Sequence, residues 1–280
     1  MQRIVTVAEL QQAIQATKQE NKTIGLVPTM GALHEGHLSL VSRARKENDI
    51  VVVSVFVNPI QFNNQEDLAK YPRTEEADLA KLQAADVDYA FVPTVEEMYP
   101  EPATMVYHFG PIEEVMEGPR RPGHFSGVAN VLRRLFELVQ PTRAYFGEKD
   151  YQQVAIVRNL LQQLHSNIQL VPCPIVRTES GLALSSRNMR LTDQDRAIAP
   201  MIYATLKEAV ALQGHLSVEE VKHFVMEKLK LTKVFEPEYF EIVNDTTLQS
   251  IAAWTDAPGI VGCITVWLDG VRLIDMIRFK

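Results

Sequence analysis

Hydrophobic positions along the chain switch repeatedly between helical and strand spacing. Val7, Leu10 and Ile14, set among Gln and Lys, recur at helical intervals and predict an amphipathic helix over residues 7–20. The apolar, β-branched stretch 23–27 predicts a strand. Leu38, Val41 and Ala44, with Arg43, Arg45 and Lys46 on the outer side, predict a helix after it, opening at about Gly36. Residues 49–57 are almost unbroken β-branched sequence, the signature of a parallel strand covered on both faces. The alternation continues with a helix over 75–84, a strand over 87–92, a loop-rich stretch over 93–127 and a helix over 128–139. A strand at 144–146, a helix over 154–164 and strands at 168–171 and 175–176 complete it.

Alternating strands and helices predict a parallel sheet with helices on both faces. Beyond residue 176 the pattern changes to helices over 195–212 and 218–229, then strands at 239–243, 260–268 and 273–277. Asp269-Gly270 marks a hairpin between the last two. The expected architecture is α/β: a Rossmann-like domain over 1–175 and a smaller α+β domain over 176–280, with the lid role falling to the second.

Composition narrows the function classes. The 280 residues are 46 % hydrophobic and 22 % charged, enough to bury a sizeable core in one large or two modest domains. A net charge of −7 argues against a general nucleic-acid binder, which needs a dense basic face. No apolar run approaches the ~20 residues that cross a bilayer. The first residues lack a signal-peptide core, and two distant cysteines, Cys173 and Cys263, provide no disulfide framework. A cytoplasmic protein is expected, with no nucleic-acid or membrane partner.

The stretch from Val27 to His37 carries the strongest chemistry. A strand runs through Pro28 into a tight turn at Gly31, and His34 and His37 stand three apart where a helix begins. A helix N-terminus offers unpaired N–H groups and a positive dipole end, which attract phosphate. A zinc site would need further ligands, and none is at hand. Other strand ends add Asn58, Gln61, Tyr71 and Arg73, and then Gly147, Lys149, Asp150 and Gln153. Ser185-Ser186-Arg187 follows as a small, hydroxyl-rich loop with a cation. Taken singly, these features also fit a linker, solvated amides and a surface ion pair worth under ~1 kcal/mol. Together they make a donor-rich, cationic set without an evident general base, suited to stabilising phosphate charge and positioning reactants.

His34-Glu35-Gly36-His37 after a first strand, with a Ser-Ser-Arg loop later in the chain, resembles the nucleotidyltransferase superfamily that includes the class I aminoacyl-tRNA synthetases. Residues 28–37, 56–62, 71–74, 121–125, 146–153 and 181–188, with Arg272 to Asp275, together resemble the pantothenate synthetase family, in its order and over essentially the whole chain. The resemblance implies attack of the pantoate carboxylate on the α-phosphate of MgATP, then attack of the β-alanine amine on the adenylate. It implies ATP contacts from Met30, Gly31, Ala32, Leu33, His34, Glu35, Gly36 and His37, from Gly147, Glu148, Lys149 and Asp150, and from Val176, Leu184, Ser185, Ser186 and Arg187. His37, His34, Lys149 and Arg187 would be catalytic, Gln61 and Gln153 would hold pantoate, and Gln61 would also reach β-alanine. A homodimer is implied. Asp78 is the nearest carboxylate for Mg²⁺, but its neighbour is Ala77, so no protein metal ligand is expected and the ion would sit on phosphates and water. Alternatives are a nucleotidyltransferase of this fold acting on another small substrate, or a non-catalytic nucleotide- or tRNA-binding module.

Overall fold

In the computed structural model, which describes residues 1–103 and 105–280, the chain forms two compact units. The first comprises Met1–Phe109, Arg121–Gly147 and Ile156–Cys173; the second comprises Gly110–Arg120, Glu148–Ala155 and Pro174–Lys280. The elements in chain order begin with β1 (Gln2–Ile4), α1 (Val7–Gln19), β2 (Ile24–Thr29), α2 (Glu35–Glu47), β3 (Ile50–Val55), α3 (Gln65–Lys70) and α4 (Glu75–Ala84). Then come β4 (Tyr89–Phe91), α5 (Val95–Met98), α6 (Glu117–Arg120), α7 (His124–Val139), β5 (Arg143–Gly147), α8 (Tyr151–Gln163) and β6 (Gln169–Cys173). The chain closes with α9 (Asp193–Ile198), α10 (Met201–Ala211), α11 (Val218–Lys230), β7 (Phe235–Asn244), β8 (Ile260–Leu268) and β9 (Val271–Arg278).

The first unit is built on a six-stranded parallel sheet in the order β1-β4-β3-β2-β5-β6. Strand order runs one way from β2 through β3 to β4 and the other way from β2 through β5 to β6. The switch point therefore lies between β2 and β5, and crevices at such points are where open α/β sheets hold ligands. On one face, Val27, Val51 and Val53 pack with Leu40, Val41 and Ala44 of α2 and Leu82 of α4. On the other, α7 lies against β2 and α1. Helices thus cover both faces, as the unbroken apolar run of β3 requires.

β2 continues past its apolar run to Thr29 and includes Pro28. A proline removes a ladder donor. It is accommodated here because β2 pairs with β5 only at Gly25 and Leu26, short of Pro28. Gly25 leaves room for a buried polar knot: a Cβ there would stand 2.6 Å from Asn48 Nδ2, which donates to Ala44 O and to the Tyr145 hydroxyl at 2.7 Å.

The second unit pairs β7, β8 and β9 as an antiparallel sheet. Phe240, Ile242, Ile264, Val266 and Leu273 face α10 and α11. Tyr239, Val261, Cys263 and Met276 face Met116 and Ala155. Leu268 pairs with Val271, and Asp269 and Gly270 have φ of 45° and 70°, the left-handed pair that a tight hairpin needs. The 110–120 segment is pinned to this sheet by charge. Arg272 donates to both Glu117 carboxylate oxygens, at 2.6 and 2.9 Å, and the Tyr239 hydroxyl donates to Glu117 at 2.8 Å. The Gln152 side chain receives Glu117 N and donates to the carbonyls of Ile112 and Val115.

Three of the differences from the expected elements have a local cause. The helix expected over 195–212 is two, α9 and α10, because Pro200 has no N–H to continue the ladder. α7 begins at His124 rather than 128, started by Gly123 at φ 78° and drawn in by the buried His124 and Phe125. Residues 175–176 form no strand; the chain turns back there in a small hairpin, with Arg177 bridging Ala183 and Leu184 N donating to Val176 O at 3.0 Å. Within the loop-rich 93–127 stretch, which also holds α5 and α6, Thr104 lies outside the described residues.

Candidate active site

In the first unit the site begins where β2 ends. Thr29 Oγ1 donates to Ser54 O at 2.7 Å and accepts from Gly31 N, which starts the turn. Gly31 and Ala32 both have positive φ, 78° and 49°. Ala32 is not a residue that adopts this region readily, so something must hold it. Asp78 does: its Oδ2 accepts from Ala32 N at 2.8 Å and its Oδ1 from Leu33 N at 2.7 Å. Asp78 is 1 % exposed, so these charge-assisted bonds meet no competition from water. Thr74 Oγ1 also donates to it, and Lys81 Nζ donates to Leu33 O. The carboxylate nearest the turn is thus committed to backbone. Among the described residues no group of three or more His, Cys, Asp or Glu is placed to hold a metal.

His34 is the N-cap of α2, one residue earlier than the helix start expected at Gly36 would put it. Its Nδ1 accepts from Gly36 N at 3.1 Å, and His37 Nδ1 accepts from His34 N at 3.3 Å. The two imidazoles therefore form a reciprocal capping box, with ring centroids 4.0 Å apart. A backbone N–H donated to Nδ1 fixes the neutral tautomer of each ring with its hydrogen on Nε2. Both rings are half-buried, and Glu35 between them is exposed.

β3 leads to the 3₁₀ turn Pro59–Gln61. Gln61 is 9 % exposed, and its Nε2 donates to Met30 Sδ at 3.1 Å, which brings two residues thirty-one positions apart to one place. Its Oε1 accepts from Asn58 Nδ2 at 2.9 Å, and Asn58 Oδ1 accepts from the Tyr99 hydroxyl at 3.0 Å. α7 packs tightly here. A Cβ on Gly127 would fall 2.5 Å from Ile60 O and 2.6 Å from Gln61 Cα. Arg73 is occupied with the end of α3, donating to the carbonyls of Leu68 and Tyr71. Gly147, half-buried, closes β5 beside β2 at the switch point.

The second unit carries the remaining expected residues. Glu148–Asp150 form a 3₁₀ turn, and Lys149 Nζ lies 3.4 Å from Asp150 Oδ2, its side chain 15 % exposed. Gln153 is half-buried on α8. The hairpin from Val176 to Leu184 is held by Arg177, whose guanidinium donates to both oxygens of Asp275 at 2.6 and 2.8 Å and stacks 3.6 Å from the Tyr203 ring centroid. Burial raises the Asp275 carboxyl above its usual range, with the Arg177 pair pulling the other way. Ser185 caps the 3₁₀ turn Ser186–Arg190 by accepting from Arg187 N, Ser186 is buried, and Asn188 Nδ2 ties back to Ala183 O. Arg187 is half-buried.

Sequence reasoning missed Asp78 as the support of the turn, Tyr99 as a partner of Asn58, and Arg177 as the anchor of the hairpin. Only Arg177 had a local signal, a cation immediately before the Thr-Glu-Ser-Gly turn.

Comparison with known proteins gives a consistent result. The family model described as pantoate-beta-alanine ligase matches residues 2–278. The pantothenate synthetase of Phocaeicola vulgatus is 52 % identical over 281 residues, covering 100 % of both chains. Among solved structures, pantothenate synthetase from Thermus thermophilus has a TM-score of 0.93 at 47 % identity, covering 100 % of both chains. The Francisella tularensis pantoate-beta-alanine ligase complexed with beta-gamma ATP and beta-alanine has a TM-score of 0.85 at 34 % identity, covering 100 % of this chain and 98 % of that one. On identity, coverage and fold alike, this chain belongs to the pantoate–β-alanine ligase family.

Proposed function

We propose that the chain condenses pantoate with β-alanine, driven by ATP, in two half-reactions. A carboxylate oxygen of pantoate attacks the α-phosphorus; the new P–O bond replaces the bond to the β-phosphate, and pyrophosphate leaves. The β-alanine amine then attacks the acyl carbon of pantoyl adenylate. A C–N bond forms, the C–O bond to AMP breaks, the amine gives up a proton, and pantothenate and AMP are the products.

The observation that carries this reading is the reciprocal cap of His34 and His37 at the start of α2. Backbone holds both Nδ1 atoms, so each ring keeps an Nε2–H donor beside the positive end of a thirteen-residue helix. Negative charge grows on the non-bridging α-phosphate oxygens and on the leaving pyrophosphate during the first step, and fixed donors stabilise it without reorganising. In this reading the nucleotide is bound by Met30 to His37, by Gly147, Glu148, Lys149 and Asp150, and by Val176 and Leu184 to Arg187, with Lys149 and Arg187 supplying cationic charge. Gln61 and Gln153 bind pantoate, and Gln61 reaches β-alanine. Mg²⁺ arrives as part of MgATP, held by phosphates and water, since Asp78 is taken up by the Ala32 and Leu33 amides. The enzyme works as a cytoplasmic homodimer.

The test is direct. Purified protein with ATP, Mg²⁺, pantoate and β-alanine should yield equimolar pantothenate and AMP by mass detection, and pantoyl adenylate with pyrophosphate when β-alanine is omitted. Stable transfer of the nucleotide to another acid, with no amide formed, would replace this reading by that of a nucleotidyltransferase.

A further inference from the structure

A primary amide has an oxygen and a nitrogen of nearly the same shape, and which of them faces a ligand decides whether it accepts or donates. The neighbours of Gln61 remove that ambiguity. The Gly127 carbonyl oxygen lies 3.3 Å from one terminal atom of Asn58. A carbonyl can only accept, so that atom is Nδ2. The other terminal atom is then Oδ1, and the Tyr99 hydroxyl 3.0 Å from it must donate. Nδ2 also lies 2.9 Å from Gln61, whose contacting atom must accept and is therefore Oε1. Gln61 Nε2 is left to face the Met30 thioether at 3.1 Å. Asn58 is 1 % exposed, so water does not compete for these positions. Burial pushes the Tyr99 phenol far above its usual range, so it keeps its proton and remains a donor through the neutral range. A thioether is a weak acceptor, so an oxygen ligand offered to Nε2 makes a better bond than the one it displaces.

We propose that Tyr99 and Asn58 are positioning residues that lock the Gln61 amide with its NH₂ on the Met30 side, so that Gln61 recognises a pantoate carboxylate oxygen as a donor. This rests on the reading that Gln61 lines the pantoate subsite, and it deepens that reading into a rule of selectivity. The acid must present an accepting oxygen to Gln61.

The test compares KM for pantoate and for ATP in the full-length protein and in Tyr99→Phe, Gln61→Met and Gln61→Glu, with far-ultraviolet circular dichroism as the folding control. Tyr99→Phe removes one hydroxyl and is expected to raise the pantoate KM about tenfold, with the ATP KM within about twofold, as the loss of one hydrogen bond's alignment predicts. Gln61→Glu keeps the acceptor that Asn58 needs and replaces the donor with an anionic oxygen, so its pantoate KM should exceed that of Gln61→Met. A Tyr99→Phe enzyme with unchanged pantoate KM, or a Gln61→Glu enzyme that binds pantoate as the parent does, overturns the lock while leaving the subsite in place. An unchanged pantoate KM in Gln61→Met overturns the subsite assignment, and the lock falls with it. Should Tyr99→Phe fail to fold, the Glu-to-Met comparison decides alone.

Discussion

His37 Nδ1 accepts the backbone N–H of His34 at 3.3 Å, so the ring assigned to phosphate chemistry is also part of the helix cap. The two roles can be separated. In His37→Asn, Oδ1 can still accept from His34 N, but the Nε2–H donor is gone. Adenylate formation should fall by ~10²–10³ while the thermal midpoint barely moves. His37→Ala removes both functions and should also cost about 0.5–2 kcal/mol of stability. Pantoate-dependent pyrophosphate release and urea denaturation read the two effects independently; near-parental release by the Asn variant would remove His37 from the chemistry.

Asp78 is expected to be a structural carboxylate. Asp78→Ala leaves two buried amides, on Ala32 and Leu33, without their acceptor. The loss should be about 3 kcal/mol in urea denaturation. At temperatures where the variant remains folded, its Mg²⁺ dependence should match that of the parent. A selective rise in the Mg²⁺ requirement would show instead that the carboxylate serves the metal.

Gly127→Ala tests how closely α7 must approach the 59–61 turn. The added Cβ would overlap Ile60 O and Gln61 Cα, both backbone atoms that cannot rotate away. Overpacking of this kind costs about 1–3 kcal/mol. Because the Gln61 side chain moves with its Cα, the pantoate KM should rise more than the ATP KM. Unchanged kinetics would mean that the turn can slide without consequence.

Stability should fall in alkali. Burial raises the Cys263 thiol from 9.0 to about 12 and the Tyr145 phenol from 10.0 to about 12. The native state therefore keeps protons that the unfolded chain gives up. Their contribution is fully present below about pH 9 and is lost as pH rises toward about 12. Cys263 alone should account for about 2 kcal/mol by about pH 10.5. Denaturation midpoints measured from pH 7.5 to 10.5 would show the decline, and Cys263→Ala should make it shallower, with the Tyr145 share remaining. A midpoint that holds steady would contradict the assignment.

The parallel sheet and the closing hairpin were legible in the sequence because their signals are local and periodic. The apolar run ending at Val55, the helix stripe of Leu38, Val41 and Ala44, in which Leu40 rather than the half-buried Leu38 completes the buried face, and the Asp269-Gly270 turn each announce their structure within a few residues. The His34–His37 stretch was legible for the same reason. What escaped were supports acting over distance through backbone atoms. Asp78 lies forty-six residues beyond Ala32 and grips its amide. Asn58 was visible at a strand end, but the direction in which its amide points depends on a carbonyl in α7, at Gly127. No residue type encodes that relationship. The 110–120 segment joins the second unit through Glu117 and Arg272, a pairing 155 positions apart that periodicity cannot see.

The outer strands of the six-stranded sheet bear on what happens when many copies of the chain are crowded together. β1 spans only three residues, and β6 carries Pro172, which has no N–H to offer an incoming strand. A foreign β-segment finds little unpaired backbone to copy at either margin. The sheet is thus finite by its own covalent chemistry, which favours keeping a biosynthetic enzyme out of edge-to-edge aggregates at the concentrations reached during expression.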